Sequence, residues 1–369
     1  MTHLRHVAAR WVAAAEVSLD ARLVAVLIWR PGWELTVVPY VGHGTATRAH
    51  VRARVVLRRR TRVQRSGRAG VVLTALAHYL SVDVPGEEVT VAVAGAAVRA
   101  VAGREGYVEA TLPLAGAAAG WHPVHFTLAA TGGTAEGRLL VVDPAARLGV
   151  VSDLDDTVIH TGLTRLAEAV RTTVFVAAEE RIPIAGAAAF YRALVDGDGG
   201  RAPVFYVSTG AWNLHAMLEG FLARHDFPVG PLLLTDWGPG GTWLFRERSE
   251  AVKVRIIEGL LAEHPQLLWV LVGDSGQDDP QAYAAVARAH PGRIHAVYIR
   301  EVPPQSPART RRVHELAQEL ASVGVPMLLM TDSIAAAEHA HRHGLIDADQ
   351  LASVRAGTYA TVGPKSNPG

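Results

Sequence analysis

Three carboxylates stand at the end of a short apolar run in Leu148-Gly-Val-Val-Ser-Asp-Leu-Asp-Asp-Thr157. Asp153 and Asp155 lie two residues apart, so an extended backbone would aim both side chains at one face. Crowding like charges costs energy unless a cation, or a proton on one of them, offsets it. An oxygen-loving ion such as Mg²⁺ is the cation that suits this set. Read alone, the same residues would serve as a solvated acidic turn after a core strand, with Thr157 capping it.

Later stretches repeat the pattern. Val204-Phe-Tyr-Val-Ser-Thr-Gly210 runs from apolar residues into Ser208, a hydroxyl able to donate to a phosphate oxygen. Leu267-Leu-Trp-Val-Leu-Val-Gly-Asp-Ser-Gly-Gln-Asp-Asp-Pro280 again ends in carboxylates, Asp274, Asp278 and Asp279. Between them lies Lys253, one of only two lysines, Lys253 and Lys365, in a chain that otherwise writes its cations as arginine. An ammonium kept where arginine is the habit points to a site needing a compact charge. The elements that must position these residues read as alternating strands and helices. The predicted strands are 149–153, 203–208, 268–273, 294–299 and 327–330. The predicted helices are 184–195, 212–224, 250–263, 279–289 and 311–322. Such alternation implies a parallel sheet, whose carboxyl ends would converge on one crevice.

The four motifs in this order resemble the haloacid dehalogenase superfamily of phosphohydrolases: Asp153-Leu-Asp-Asp-Thr157, the strand ending at Ser208, Lys253, and Gly273-Asp-Ser-Gly-Gln-Asp-Asp279. Their wording, with Pro231-Leu-Leu-Leu-Thr-Asp-Trp237, Ala296-Val-Tyr-Ile-Arg-Glu-Val302 and Trp121-His-Pro, is similar to the actin-patch-associated phosphatidate phosphatases and their bacterial relatives. The resemblance implies that Asp153 attacks phosphorus to form an aspartyl-phosphate and that Asp155 exchanges protons with the leaving group and water. It implies Mg²⁺ held by Asp153, the Asp155 backbone carbonyl and Asp274, with Ser208 and Lys253 on the phosphoryl oxygens. Asp279 fits the second acidic position of the last motif, where it would belong with the metal ligands, and Asp278 is the alternative. The implied substrate is phosphatidate or another phosphate ester.

The chain has 369 residues, about half of them apolar, and a formal net charge of +1, enough for two cores and too balanced for a nucleic-acid address. It has no cysteine, which excludes disulfides and thiolate chemistry. No apolar run long enough to span a bilayer and no signal-peptide pattern appears, so a cytoplasmic location is expected. Oligomeric state has no signature. The expected fold class is α/β: a Rossmann-like haloacid dehalogenase-type domain over 146–362, preceded by a small antiparallel β-sandwich-like domain over 34–145. A helical segment (1–33) and a disordered tail (363–369) flank them. Thr164–Val176 would be a small cap helix, and Asp236–Phe245 a flexible aromatic loop. From Arg48 to Arg68 the chain carries nine arginines and no acid. Arg52, Arg54 and Arg58 alternate with Val51, Ala53, Val55 and Leu57, so one face of a strand would be buried and the other basic. Such a face could be a soluble surface coloured by the arginine habit, or a contact for anionic membrane.

Overall fold

The computed structural model describes residues 32–59, 81–103, 105–154, 184–208, 215–234, 249–302 and 306–362. Asp155, Thr157, the N-terminal helical segment, the cap helix, the aromatic loop and the tail lie outside the described residues. The chain divides into two compact units, parting after Val142.

The first unit is built on β3 (Arg48–Arg59), whose alternation of arginine with small and branched apolar residues suits a strand buried on one face. One edge of β3 pairs with β1 (Trp33–Pro39) and then with β2 (Gly42–Thr45). Its other edge pairs with β7 (Tyr107–Pro113) and β4 (Ser81–Asp83). From β2 the sheet continues through β9 (Thr134–Val141), β8 (Gly120–Leu128), β5 (Glu88–Val93) and β6 (Ala96–Val101). Among the described residues the strands join in one nine-stranded sheet, which is mixed where antiparallel pairing throughout was expected, since β2 and β9 run parallel. The physical reason is the step between β1 and β2, where Tyr40 N–H still bonds Arg52 O and both strands share one edge of β3. Val51, Ala53, Val55 and Leu57 join Val91, Leu112, Phe126, Leu139 and others in a single core.

Three of the β3 arginines meet acids from neighbouring strands. Arg52 pairs with Glu109, Arg54 with Asp83 at 2.6 Å and Arg58 with Glu34 at 3.2 Å, each acid coming from a neighbouring strand. Arg54 also lies over the Tyr107 ring, 5.3 Å from its centroid. These three pairs weaken the field of the strand at their positions.

The second unit is α/β. Six strands, β10 (Leu148–Asp153), β11 (Val204–Ser208), β12 (Leu232–Leu234), β13 (Leu268–Asp274), β14 (Ile294–Arg300) and β15 (Met327–Met330), form a sheet in the order β12-β11-β10-β13-β14-β15. Every pairing in it is parallel. β10 and β13 are buried along nearly their whole length, as continuous apolar runs in a covered parallel sheet must be. The described helices are α1 (Ala187–Gly197), α2 (His215–Arg224), α3 (Ser249–Glu263), α4 (Asp279–Ala289), α5 (Pro307–Ala321), α6 (Ser333–Arg342) and α7 (Ala348–Val362). Helix α1 starts three residues later than its apolar pattern predicts, because Gly186 takes a left-handed φ of 76° ahead of it. Helix α5 starts earlier, at Pro307, where a fixed φ suits a first turn.

The arginine pairs differ in burial, which gives a test within one strand. Arg54 and Asp83 are 17% and 22% exposed, whereas Glu109, the partner of Arg52, is 61% exposed. Arg54→Met strands a half-buried carboxylate and should cost about 1–3 kcal/mol of unfolding free energy. Arg52→Ser should stay below about 1 kcal/mol. Urea unfolding followed through the first unit measures both, and equal costs would refute the ranking.

Candidate active site

The sheet order reverses between β10 and β13: from β10 the chain moves outward through β11 to β12, then returns to β13 and leaves in the opposite direction. At such a switch point the loops leaving the two strands diverge and open a crevice at their carboxyl ends. Asp153 is the last residue of β10 and Asp274 the last of β13, and the register Ser152↔Val272 sets them side by side. Ser208 ends β11, one residue past the Asp153↔Val207 pair, and is buried.

Lys253 and Asp279 reach the same place from helices. Lys253 lies in the second turn of α3, and its Nζ donates to Asp153 Oδ1 at 2.6 Å and to Asp279 Oδ1. The three side chains are almost wholly buried. Burial by itself pulls the ammonium pKa down; the charges of Asp153 and Asp279 and their hydrogen bonds more than reverse it and hold it above the ordinary lysine value. The sign is therefore that of a stabilised cation: its contribution is complete below the unfolded lysine pKa of about 10.4 and is lost only as pH rises through the folded value.

Asp279 opens α4 and braces the site. Its Oδ1 accepts from Lys253 and its Oδ2 accepts from the backbone N–H of Asp274 at 3.0 Å. Asp278, the alternative, is exposed one residue earlier, at the cap of α4. Asp274 Oδ1 accepts from the N–H groups of Gly276 and of Gln277, the latter at 3.1 Å, which turns the chain after β13. The close approach of α4 needs Gly273: a Cβ there would lie 2.6 Å from Asp279 Oδ2 and 2.7 Å from Tyr283 Cε2. Tyr283 donates from its hydroxyl to Val272 O at 3.1 Å, fastening α4 to β13. Burial, then the surrounding carboxylates, push the Tyr283 phenol well above its usual range, so it remains a donor.

One support was not visible from the sequence. Ser152 Oγ donates to Asp153 O at 2.7 Å, and Tyr191 Oη of α1 lies 2.7 Å from Ser152 Oγ. With the serine proton committed to the carbonyl, the phenol donates to the serine. The chain of hydroxyls fixes the peptide that follows Asp153. Its only signal in the sequence was a serine inside an otherwise apolar strand, since a buried hydroxyl requires a partner.

Asp153, Asp274 and Asp279 each offer a carboxylate oxygen within 4.8 Å of the others. Three buried carboxylates against one ammonium leave an anionic, all-oxygen set, which fits a small hard cation. The structure thus brings Asp153, Lys253, Asp274 and Asp279 into one cluster, with Ser208 on the neighbouring strand end; the position of Asp155 lies outside the described residues.

Residues 148–301 match the family model described as phosphatidate phosphatase APP1, catalytic domain. That span contains β10 to β14 and all of the clustered residues. Phosphatidate phosphatase APP1 of Saccharomyces cerevisiae is 31% identical over 153 residues, covering 42% of this chain and 26% of that protein. An uncharacterized protein of Schizosaccharomyces pombe is 27% identical over 155 residues, with 42% and 25% coverage. The matched region thus spans about a quarter of the length of either curated relative. Among solved structures, a carbohydrate acetylesterase from Xanthomonas citri aligns at 11% identity over 89% of this chain and 74% of its own, with a TM-score of 0.29.

Two substitutions test the brace. Lys253→Met leaves Asp153 and Asp279 buried without their cation and should cost about 3–5 kcal/mol. Gly273→Ala forces a methyl against Asp279 and Tyr283 and should cost about 1–3 kcal/mol. Denaturant unfolding of each variant in metal-free buffer measures both; a Gly273→Ala protein as stable as the parent would mean that α4 docks without the contact.

Proposed function

We propose that the chain is a Mg²⁺-dependent phosphomonoesterase of haloacid dehalogenase type that works through an aspartyl-phosphate, with phosphatidate as its substrate. The observation that carries this reading is the buried Lys253 ammonium held between Asp153 and Asp279 at the switch point of a parallel sheet, beside Asp274. A phosphate ester is the ligand such a set suits: a carboxylate to attack, a fixed cation, and an oxygen cage for a hard ion. The matches to the catalytic domain of phosphatidate phosphatase support the lipid substrate.

Mg²⁺ would be held by Asp153 and Asp274, and when bound it would neutralise charge on the phosphoryl oxygens. Asp153 attacks phosphorus and the ester oxygen departs, leaving phosphate on the carboxylate. Asp155 protonates the departing alkoxide and later takes a proton from the water that frees phosphate. Lys253 and Ser208 hold the equatorial oxygens as charge shifts during transfer. Asp279 keeps Lys253 and the Asp274 backbone in place. The Tyr191–Ser152 relay holds the peptide after Asp153, so the nucleophile meets phosphorus from one direction.

Arg52, Arg54 and Arg58 are each paired with an acid, so they give no separate support to a lipid surface, and a soluble phosphate ester is the competing substrate. Purified protein assayed with Mg²⁺ on short-chain phosphatidate and on a panel of soluble phosphate esters separates them, with a higher kcat/KM for phosphatidate expected. Asp153→Asn and Asp155→Asn should each abolish phosphate release without loss of fold. Lys253→Arg should lose about 10²-fold or more, because a planar guanidinium cannot fill the place of an ammonium. Phosphate release by Asp153→Asn at near the parental rate would overturn the covalent mechanism.

A further inference from the structure

Three neighbouring helices each bring a charged residue to the carboxyl edge of the parallel sheet. Helix α3 packs against α4, and α4 against α5. Lys253 comes from the second turn of α3 and Asp279 from the first turn of α4. Arg309, in the first turn of α5, is the third member of the row and lies outside the four motifs.

The turn after β13 shows where its guanidinium sits. A Cβ built at Gly276 would lie 2.9 Å from Asp274 Oδ1 and 3.6 Å from Arg309 Nη1. The carboxylate and the guanidinium are thus no further apart than those two lengths laid end to end. Arg309 Nη2 donates to Val302 O at 3.5 Å, and the Val302 N–H donates to Ser275 Oγ at 3.1 Å. The Ser275 N–H in turn donates to Arg300 O at 2.9 Å. The end of β14 and the turn after Asp274 are therefore tied together, with Arg309 against both. Arg309 is half-buried and its Nε is covered, so its charge is screened less than that of a surface arginine.

A count of charges gives such a cation a task. Asp153, Asp274 and Asp279 against Lys253 leave two negative charges, which a divalent ion would cancel. A phosphoryl dianion brings two more, and Lys253 already holds two carboxylates. Sites that transfer phosphoryl groups meet this charge with further cations. We propose, on the premise that the site takes a phosphate ester, that Arg309 is the cation that biases it towards holding metal and phosphate together rather than metal alone. Its field opposes a metal ion at Asp274 and favours the incoming dianion, and an effect across several ångström needs no direct contact. Arg300, in register with Asp274 on the next strand, adds charge of the same sign. Glu301 is the opposing charge on that side, and its Oε1 accepts from Thr310 Oγ1 at 2.9 Å.

Calorimetry on the full chain tests this through binding: Mg²⁺ alone, then inorganic phosphate with Mg²⁺ saturating. Arg309→Gln keeps a donor for Val302 O but loses the charge. It should bind Mg²⁺ about threefold more tightly and phosphate about tenfold more weakly. Arg309→Lys keeps the charge and should return both constants close to those of the parent. An arginine that merely braced the turn after β13 would give a different pattern, with Mg²⁺ and phosphate both bound more weakly by Arg309→Gln. Looser or unchanged Mg²⁺ binding in Arg309→Gln, or unchanged phosphate binding, would overturn the role of Arg309 and leave the phosphate-ester reading standing. A parent that binds no phosphate with Mg²⁺ would overturn that reading, and this role with it.

Discussion

The second unit depends on one buried cation. Lys253 lies 100 residues from Asp153 and 26 from Asp279 along the chain, yet its ammonium holds both carboxylates with almost no solvent. Removing such charges from water costs several kcal/mol each, repaid only by good geometry. The geometry is good because each group arrives on a rigid element: the end of a central strand, the second turn of one helix and the first turn of another. Without the cation, β10 and α4 would present like charges to each other across a dry gap. The order of the sheet, the absence of a side chain at Gly273 and the turn after Asp274 can all be understood as conditions for this one contact.

A second theme is fastening by hydroxyls. Tyr191 reaches Ser152 and through it the Asp153 carbonyl; Tyr283 reaches Val272 O; Tyr298 reaches His339. Each phenol leaves a helix or strand and ends on a neighbour beside a cluster of ionisable groups. Burial raises the pKa of all three, Tyr191, Tyr283 and Tyr298, so they stay neutral and act as donors or fixed partners. A tyrosine gives apolar packing along its ring and one directed bond at its tip, which suits positions where a core must also orient a polar group.

Much of this was legible in the sequence, and the limits have physical causes. Long apolar runs with turn residues after them identified β10, β11, β13, β14 and β15, and alternation identified β3. β12 was missed because three leucines are too short to show a period. β2 was missed because its glycines read as a turn; in fact a Cβ at Gly44 would lie 2.1 Å from Arg48 O, so the tight hairpin to β3 demands glycine. Helix α6 was missed because its buried face is made of alanine, serine and histidine rather than large apolar residues, although Asp332, which accepts from Ile334 N–H at 2.8 Å, was a cap signal before it. The candidate site residues stood out by type and order, and the structure brings Asp153, Lys253, Asp274 and Asp279 together. Their partners were not, because nothing local tells that Lys253 binds Asp153 and Asp279, that Asp279 holds the Asp274 backbone, or that Arg52, Arg54 and Arg58 each meet an acid from a different strand.

The hub position of β3 has a consequence for the growing chain. Its first edge is filled by β1 and β2, which precede it directly, but Arg48 on the other edge waits for Pro113. During synthesis β4 can cover only the end of that edge, and the rest stays open until β7 emerges. An open, apolar edge is a template for pairing with another copy. Arg52 and Arg54 then lack the acids that will neutralise them, since Glu109 and Asp83 come later in the chain. Their unmatched charge makes one nascent strand repel the same strand of a neighbour, and it disappears as β4 and β7 arrive. The same side chains are thus gatekeepers before folding and ion-pair partners after it.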